Sequence, residues 1–192
     1  MAGIFDQSAG WRFTAADLAV FPTQLPSGDV DYELDQGRLV LMVPPGHPHG
    51  LVQARIATKF AIQGEEAGFG QAVTDEAVVV SRNPDTVLSP DVAFIAKSKL
   101  PVRVSREGYL ETIPDVVVEV RSKNDSRAEL ERKTETYLSA GVSLVLIADP
   151  EAKTIFAYRA GGEPRVYLEA DTIELDEPIP GFRLSVKEMF RG

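Results

Sequence analysis

The apolar positions of this chain change their period as it proceeds, and each change marks an element. Thr14-Ala15-Ala16-Asp17-Leu18 reads as a short capped helix ending before Pro22. Asp31 to Leu34 and Arg38 to Val43 read as a hairpin turning at Asp35-Gln36-Gly37, where glycine supplies the positive φ. Pro44-Pro45-Gly46 breaks the chain. From His49 to Ala67, Leu51, Val52, Ile56 and Phe60 recur near helical spacing, with Gly68 as the stop. Ala77 to Val80 and Val92 to Ile95 are β-rich, and residues 97–112 read as an irregular or partly helical connection.

Val116 to Arg121 predicts a strand. Ser126 to Ala140 predicts a helix, opened by the capping box Ser126-x-x-Glu129 and closed by Gly141. Val142 to Ala148 is an almost unbroken apolar run, as expected of a central strand covered on both faces. Ile155 to Tyr158, Val166 to Leu168 and Thr172 to Glu174 suggest further strands, and Ser185 to Phe190 a helical turn or two. Strand, helix and strand between 116 and 148 form one β-α-β unit, whose crossover joins parallel strands. The strands before it pair as hairpins. The expectation is an α/β (α+β) protein with a mixed β-sheet flanked by helices.

Composition narrows this little. A chain of 192 residues suits one domain, here residues 30–192 preceded by an N-terminal helical extension over 1–29. With no cysteine, disulfides and thiolate zinc sites are excluded, and a reducing cytoplasm fits. The first residues have neither a basic leader nor an apolar core of the secretory kind, and no apolar run approaches the ~20 residues that span a bilayer. The net charge of −9 argues against a protein that simply coats nucleic acid. The charge is uneven, however: residues 1–96 are net −7, whereas 97–137 carry 9 basic and 8 acidic side chains. The least acidic third therefore surrounds the residues considered next.

Asp91, Glu119 and Lys133 sit where the core pattern expects apolar residues. An isolated carboxylate in an apolar strand is costly unless paired or metal-bound. Strand alternation puts Val117, Glu119 and Arg121 on one face, so Glu119 and Arg121 project together. Asp115 precedes the strand and can cap it. Lys133 shares a helix face with Leu130 and Tyr137, which with Leu138 form the buried stripe, so it is aimed at the sheet or its edge. Two acids on neighbouring strand ends with a lysine nearby suit Mg2+-dependent phosphodiester hydrolysis. From chemistry alone a structural ion pair of Glu119 with Lys133 or Arg121 is the stronger alternative.

Ser89-Pro90-Asp91-Val92-Ala93-Phe94, Pro114-Asp115-Val116-Val117-Val118-Glu119-Val120-Arg121-Ser122, Glu129-Leu130-x-x-Lys133-x-x-x-Tyr137-x-x-Ala140-Gly141-Val142 and Ile147-Ala148-Asp149-Pro150 together closely resemble the Uma family of restriction-endonuclease-like proteins. This large bacterial family belongs to the PD-(D/E)XK nuclease superfamily. The likeness takes in Tyr32-Glu33-Leu34-x-x-Gly37-Arg38-Leu39-Val40-x-Met42 and Pro44-Pro45-Gly46-x-x-His49, and so runs over about residues 30–185. It implies a restriction-endonuclease-like fold with the active site along two adjacent strands, and a Mg2+- or Mn2+-dependent DNA endonuclease. Asp91 matches the motif aspartate and Glu119 the motif acid; both would bind metal. The usual lysine two positions on is Arg121 here, which cannot be a base but can hold phosphate. Lys133 matches the lysine that family members carry on the following helix. Where members often read Ser-Pro-Ser, this chain has Ser122-Lys123-Asn124.

Glu33 matches an acidic position of the hairpin, either an extra metal or water ligand or an ordinary surface glutamate. His47 and His49 lack the further ligands of a metal site, so His49 is expected at a helix cap or turn. Trp11 and the phenylalanines are expected in the core. Lys97, Lys99, Arg103 and Arg106 either touch a DNA backbone or line a solvated loop, and Asp149-Pro150 ends a strand. A homodimer is expected, since cutting both strands takes two sites. The rivals are a catalytically silent nuclease-fold module that binds nucleic acid or protein, in a mobile-element or defence role, and an enzyme for another phosphate ester.

Overall fold

The computed structural model describes residues 11–26 and 28–191. Among these the chain runs α1 (Ala15–Leu18), β1 (Gln24–Leu25), β2 (Gly28–Asp29), β3 (Asp31–Asp35), β4 (Arg38–Met42), α2 (His47–Phe60), a π-helical turn (Ala61–Glu65), β5 (Gly70–Val73), β6 (Val78–Ser81), β7 (Thr86–Leu88) and β8 (Val92–Ala96). It continues through a 3-10 turn (Lys97–Lys99), β9 (Val116–Val120), α3 (Arg127–Ala140), β10 (Leu144–Asp149), β11 (Thr154–Tyr158), β12 (Arg165–Tyr167), β13 (Thr172–Leu175), β14 (Phe182–Ser185) and α4 (Val186–Met189).

Local sequence explains most boundaries. At α1, the Thr14 side chain accepts from the Asp17 N–H while Asp17 accepts from Thr14, a complete capping box. At α3, Ser126 and Glu129 do the same, and Gly141 ends the helix at φ +103°. The hairpin of β3 and β4 turns at Gln36 and Gly37, and Gln36 as well as the glycine takes a positive φ. Helix α2 starts at His47, two residues earlier than its apolar stripe suggests, with a proline in its first turn.

A six-stranded sheet in the order β12-β11-β10-β9-β8-β5 forms the centre. Strands β9 and β10 are parallel, as the β-α-β reading requires, and the other pairs are antiparallel. Alternation sorts the sheet's side chains into two cores. Val116, Val118 and Val120 join Val52, Ile56 and Phe60 of α2 and the C-terminal β13, β14 and α4. Val117, Val145 and Ile147 join Tyr137 of α3 and Val78, Val80 and Leu88 of β6 and β7. Those two strands belong to a four-stranded sheet in the order β4-β3-β7-β6. Its outer face packs Leu34, Val79 and Val87 against Ala15 and Leu18 of α1. The N-terminal helix is thus seated on the second sheet. Strands β1, β2, β5, β7 and β14 have no counterpart in the sequence reading.

Trp11 departs from expectation: it is 84% exposed and is no part of a core. The phenylalanines divide. Phe60, Phe94, Phe182 and Phe190 are buried, with Phe60 stacked on Phe94 and on Phe182. Phe13, Phe21, Phe69 and Phe156 are half-buried, and Phe5 lies outside the described residues. No helix among the described residues is long and apolar enough to cross a membrane.

Candidate active site

The register of β8 on β9 pairs Val92 with Val118, Ala93 with Val117 and Phe94 with Val116. Just beyond the Val92–Val118 pair, Asp91 and Glu119 stand at the same end of the two strands. Asp91 continues the ladder with its side chain, since Oδ2 accepts the Val120 N–H at 2.6 Å. Glu119, 6% exposed, lies on the α3 side of the sheet with Val117.

Helix α3 delivers two groups to Glu119 Oε1. Tyr137, fully buried, donates its hydroxyl at 2.8 Å. One turn earlier, Lys133 Nζ lies at 3.5 Å from the same oxygen and donates at 2.9 Å to Glu33 Oε1. That oxygen of Glu33 also accepts the Ser89 N–H at 2.9 Å. At 2% exposure Glu33 is no surface glutamate of its hairpin: it closes the site from the second sheet. From the other face, His49 in the first turn of α2 puts Nε2 at 3.2 Å from Asp91 Oδ2. It does not cap its helix, whose N-cap is Gly46. His47 is exposed. The expectation of a cap or turn for His49 fails because the first turn of α2 faces the end of β8.

Arg121 takes a different course. Its guanidinium binds Asp149 Oδ2 at 2.7 Å across the parallel pair, while Asp149 Oδ1 accepts the Glu151 and Ala152 N–H groups. Although alternation gives Arg121 the face of Glu119, its cation is occupied by the neighbouring strand. Asp115 caps as expected, accepting the Ala96 N–H and pairing with Lys99. Lys97, Arg103 and Arg106 are exposed.

Three carboxylates, Glu33, Asp91 and Glu119, thus gather around one lysine and one histidine. Burial, reinforced by the charges of Asp91 and Glu33, pushes Glu119 up to about 8, although Lys133 and the Tyr137 hydroxyl pull the other way. Burial alone would lower Lys133, but Glu119 and Glu33 outweigh it and keep the ammonium above its ordinary value. Burial also opposes charge on His49, yet Asp91 raises it overall. Asp75, raised by burial, lies nearby and takes the Gln53 amide, which also reaches the Asp91 carbonyl. The lysine therefore stays charged, while burial makes Glu119 resist ionisation.

Sequence patterning found Asp91, Glu119 and Lys133 because charge interrupts an apolar pattern at each. It missed the parts played by His49, Tyr137 and Asp75. A tyrosine in a buried stripe and a histidine beside a Pro-Gly turn carry no signal that separates them from packing residues.

A model of the Uma2 family, described as "Putative restriction endonuclease", matches residues 19–187. Among solved structures, the chain is similar to a "putative nuclease belonging to DUF820" from Anabaena variabilis. The TM-score is 0.76 at 18% identity, over 93% of this chain and 97% of that one. The shared fold is the mixed sheet with flanking helices described above. No curated protein matches.

Proposed function

The chain belongs to the Uma2 family of restriction-endonuclease-like proteins, and from that premise we propose that it is an endonuclease hydrolysing phosphodiester bonds of DNA, with Mg2+ or Mn2+ held by Asp91 and Glu119. The observation that carries this reading is the placement of both carboxylates at one end of β8 and β9, with Lys133 set against Glu119.

The donor set fits such an ion. Among the described residues no three His, Asp or Glu side chains converge as a metal cage. Mg2+ needs none, because it keeps several waters and takes one or two carboxylates besides substrate phosphate. Among the described residues, no donor reaches Asp91 Oδ1 or Glu119 Oε2; the contacts fall on Oδ2 and Oε1. Burial first, and the charges of Asp91 and Glu33 after it, raise Glu119, and a bound cation would favour its ionised form against both. When bound, the ion would lower the pKa of the attacking water and offset the charge of the scissile phosphate.

Lys133, kept protonated by Glu119 and Glu33, is no base. It orients the attacking water or stabilises charge growing on the phosphoryl oxygens. Glu33 holds Lys133 through Oε1, which leaves its other oxygen for a water. Arg121 keeps its charge and helps by meeting the DNA backbone beside Asp149. Cutting both strands implies two copies of the chain, paired as a homodimer, and a cysteine-free chain acting on DNA fits the cytoplasm.

Two observations favour a second reading, a silent nuclease-fold module: a net charge of −9, and no three-residue metal cage among the described residues. Supercoiled plasmid, single-stranded DNA and RNA incubated side by side with Mn2+ or Mg2+ decide between them. The nuclease nicks or linearises plasmid, and Asp91→Ala or Glu119→Ala lowers the rate at least ~100-fold. Plasmid left intact under both cations would sink the proposal, as would cleavage surviving in Asp91→Ala.

A further inference from the structure

Two buried donors stand behind the carboxylates, one from each face of the sheet. His49, 8% exposed, has its Nε2 at 3.2 Å from Asp91 Oδ2, the oxygen that also accepts the Val120 N–H. Tyr137, 0% exposed, donates to Glu119 Oε1, the oxygen that faces Lys133. Each carboxylate is therefore gripped through one oxygen only, and the same carboxylates keep Oδ1 and Oε2 clear of donors among the described residues.

Packing does not explain these side chains. An aliphatic residue at position 49 would fill that space without burying a polar atom. Instead His49 Nδ1 is buried with no partner among the described residues, so the imidazole is kept despite a desolvation cost. A phenylalanine at position 137 would pack as well as tyrosine, and only the hydroxyl reaches Glu119. In both cases the polar atom's one contact is a carboxylate of the candidate site. Without such partners, Asp91 turns about two side-chain torsions and Glu119 about three, and a cation must then fix those rotations itself.

We infer that His49 and Tyr137 are positioning residues for divalent-cation binding: they turn Asp91 and Glu119 so that Oδ1 and Oε2 are the oxygens offered to the ion. The inference rests on the metal-dependent reading above. It extends that reading to two residues that touch neither ion nor substrate.

The test is calorimetric titration of the EDTA-stripped full chain with Mn2+. It compares wild type, His49→Gln, His49→Leu and Tyr137→Phe, with the metal-free Tm of each measured in parallel. Gln and Leu both delete the imidazole and its charge, but only Gln can donate to Asp91. Their ratio reads the hydrogen bond alone. The Leu variant is expected to bind Mn2+ about tenfold more weakly than the Gln variant, and Tyr137→Phe about tenfold more weakly than wild type. Metal-free Tm should not follow that order. Equal Mn2+ affinity of the Gln and Leu variants overturns the inference for His49, and wild-type affinity in Tyr137→Phe overturns it for Tyr137. Both results leave the metal-dependent nuclease standing. Wild type that binds no Mn2+ overturns both.

Discussion

Glu119 concentrates the physical tension of the molecule. Its folded value of about 8 stands above the 4.5 of an ordinary glutamate. Between those values the folded chain keeps a proton that the unfolded chain has released. The stability this contributes is complete below about 4.5 and is lost as pH rises to about 8. His49, also raised, acts in the same direction. Urea unfolding in EDTA should therefore give an unfolding free energy that falls as pH rises, by up to about 1.4 kcal/mol per pH unit for each proton. Glu119→Gln should flatten most of that slope, and a wild type already flat contradicts the account. Lys133 offsets the same tension. Lys133→Met leaves Glu33 and Glu119 without their ammonium and should cost about 3 kcal/mol. Adding Glu33→Gln should restore part of the loss, which a double-mutant cycle measures. At this scale the acids were legible because charge in an apolar strand is conspicuous. His49 was not, because only the folded chain brings the first turn of α2 to Asp91. Nor was the exposure of Trp11, because aromaticity alone favours burial.

The elements were legible in proportion to their length and their caps. Helix α3 could be read to the residue, from its capping box to Gly141, and it is the element that aims Lys133 and Tyr137. Removing the N-cap with Ser126→Ala should cost about 1 kcal/mol in urea unfolding while plasmid cleavage stays near wild type. A large loss of cleavage would mean that the cap does more than start the helix. Strands β1, β2, β5, β7 and β14 escaped at two to four residues each, whereas β6, β12 and β13, although no longer, were legible through their β-branched and aromatic residues. Gly70 nevertheless decides how β5 lies on β8. A Cβ there would overlap the Ile95 carbonyl oxygen and stand 2.7 Å from Phe94 Cζ. Gly70→Ala should therefore force the strands apart and cost about 2 kcal/mol or more, visible as a lowered Tm. An unchanged Tm would mean that the sheet edge yields easily.

For the whole molecule, the parallel pairing of β9 with β10 and the antiparallel pairing of β3 with β4 followed from the β-α-β unit and the hairpin. The docking of a second sheet on the first did not, since neither sequence run announces the other. That docking brings Glu33 to Lys133, and the proposed DNA substrate adds an electrostatic demand. A chain of net −9 meeting a polyanion needs counter-charge at the acids. Filter binding of duplex DNA should be at least about tenfold tighter in Ca2+, an oxygen-seeking ion, than in EDTA, and Asp91→Ala should erase the difference. Equal retention in both conditions would detach DNA binding from this site. The bond from Lys133 to Glu33 joins residues 100 positions apart, whereas Tyr137 and Glu119 are only 18 apart. A ribosome releases the hairpin acid long before the lysine exists, and distant contacts close after local ones. A chain grown past residue 119 but short of 133 would carry Glu33, Asp91 and Glu119 without the ammonium that offsets them, so the cluster is complete only once α3 packs against both sheets.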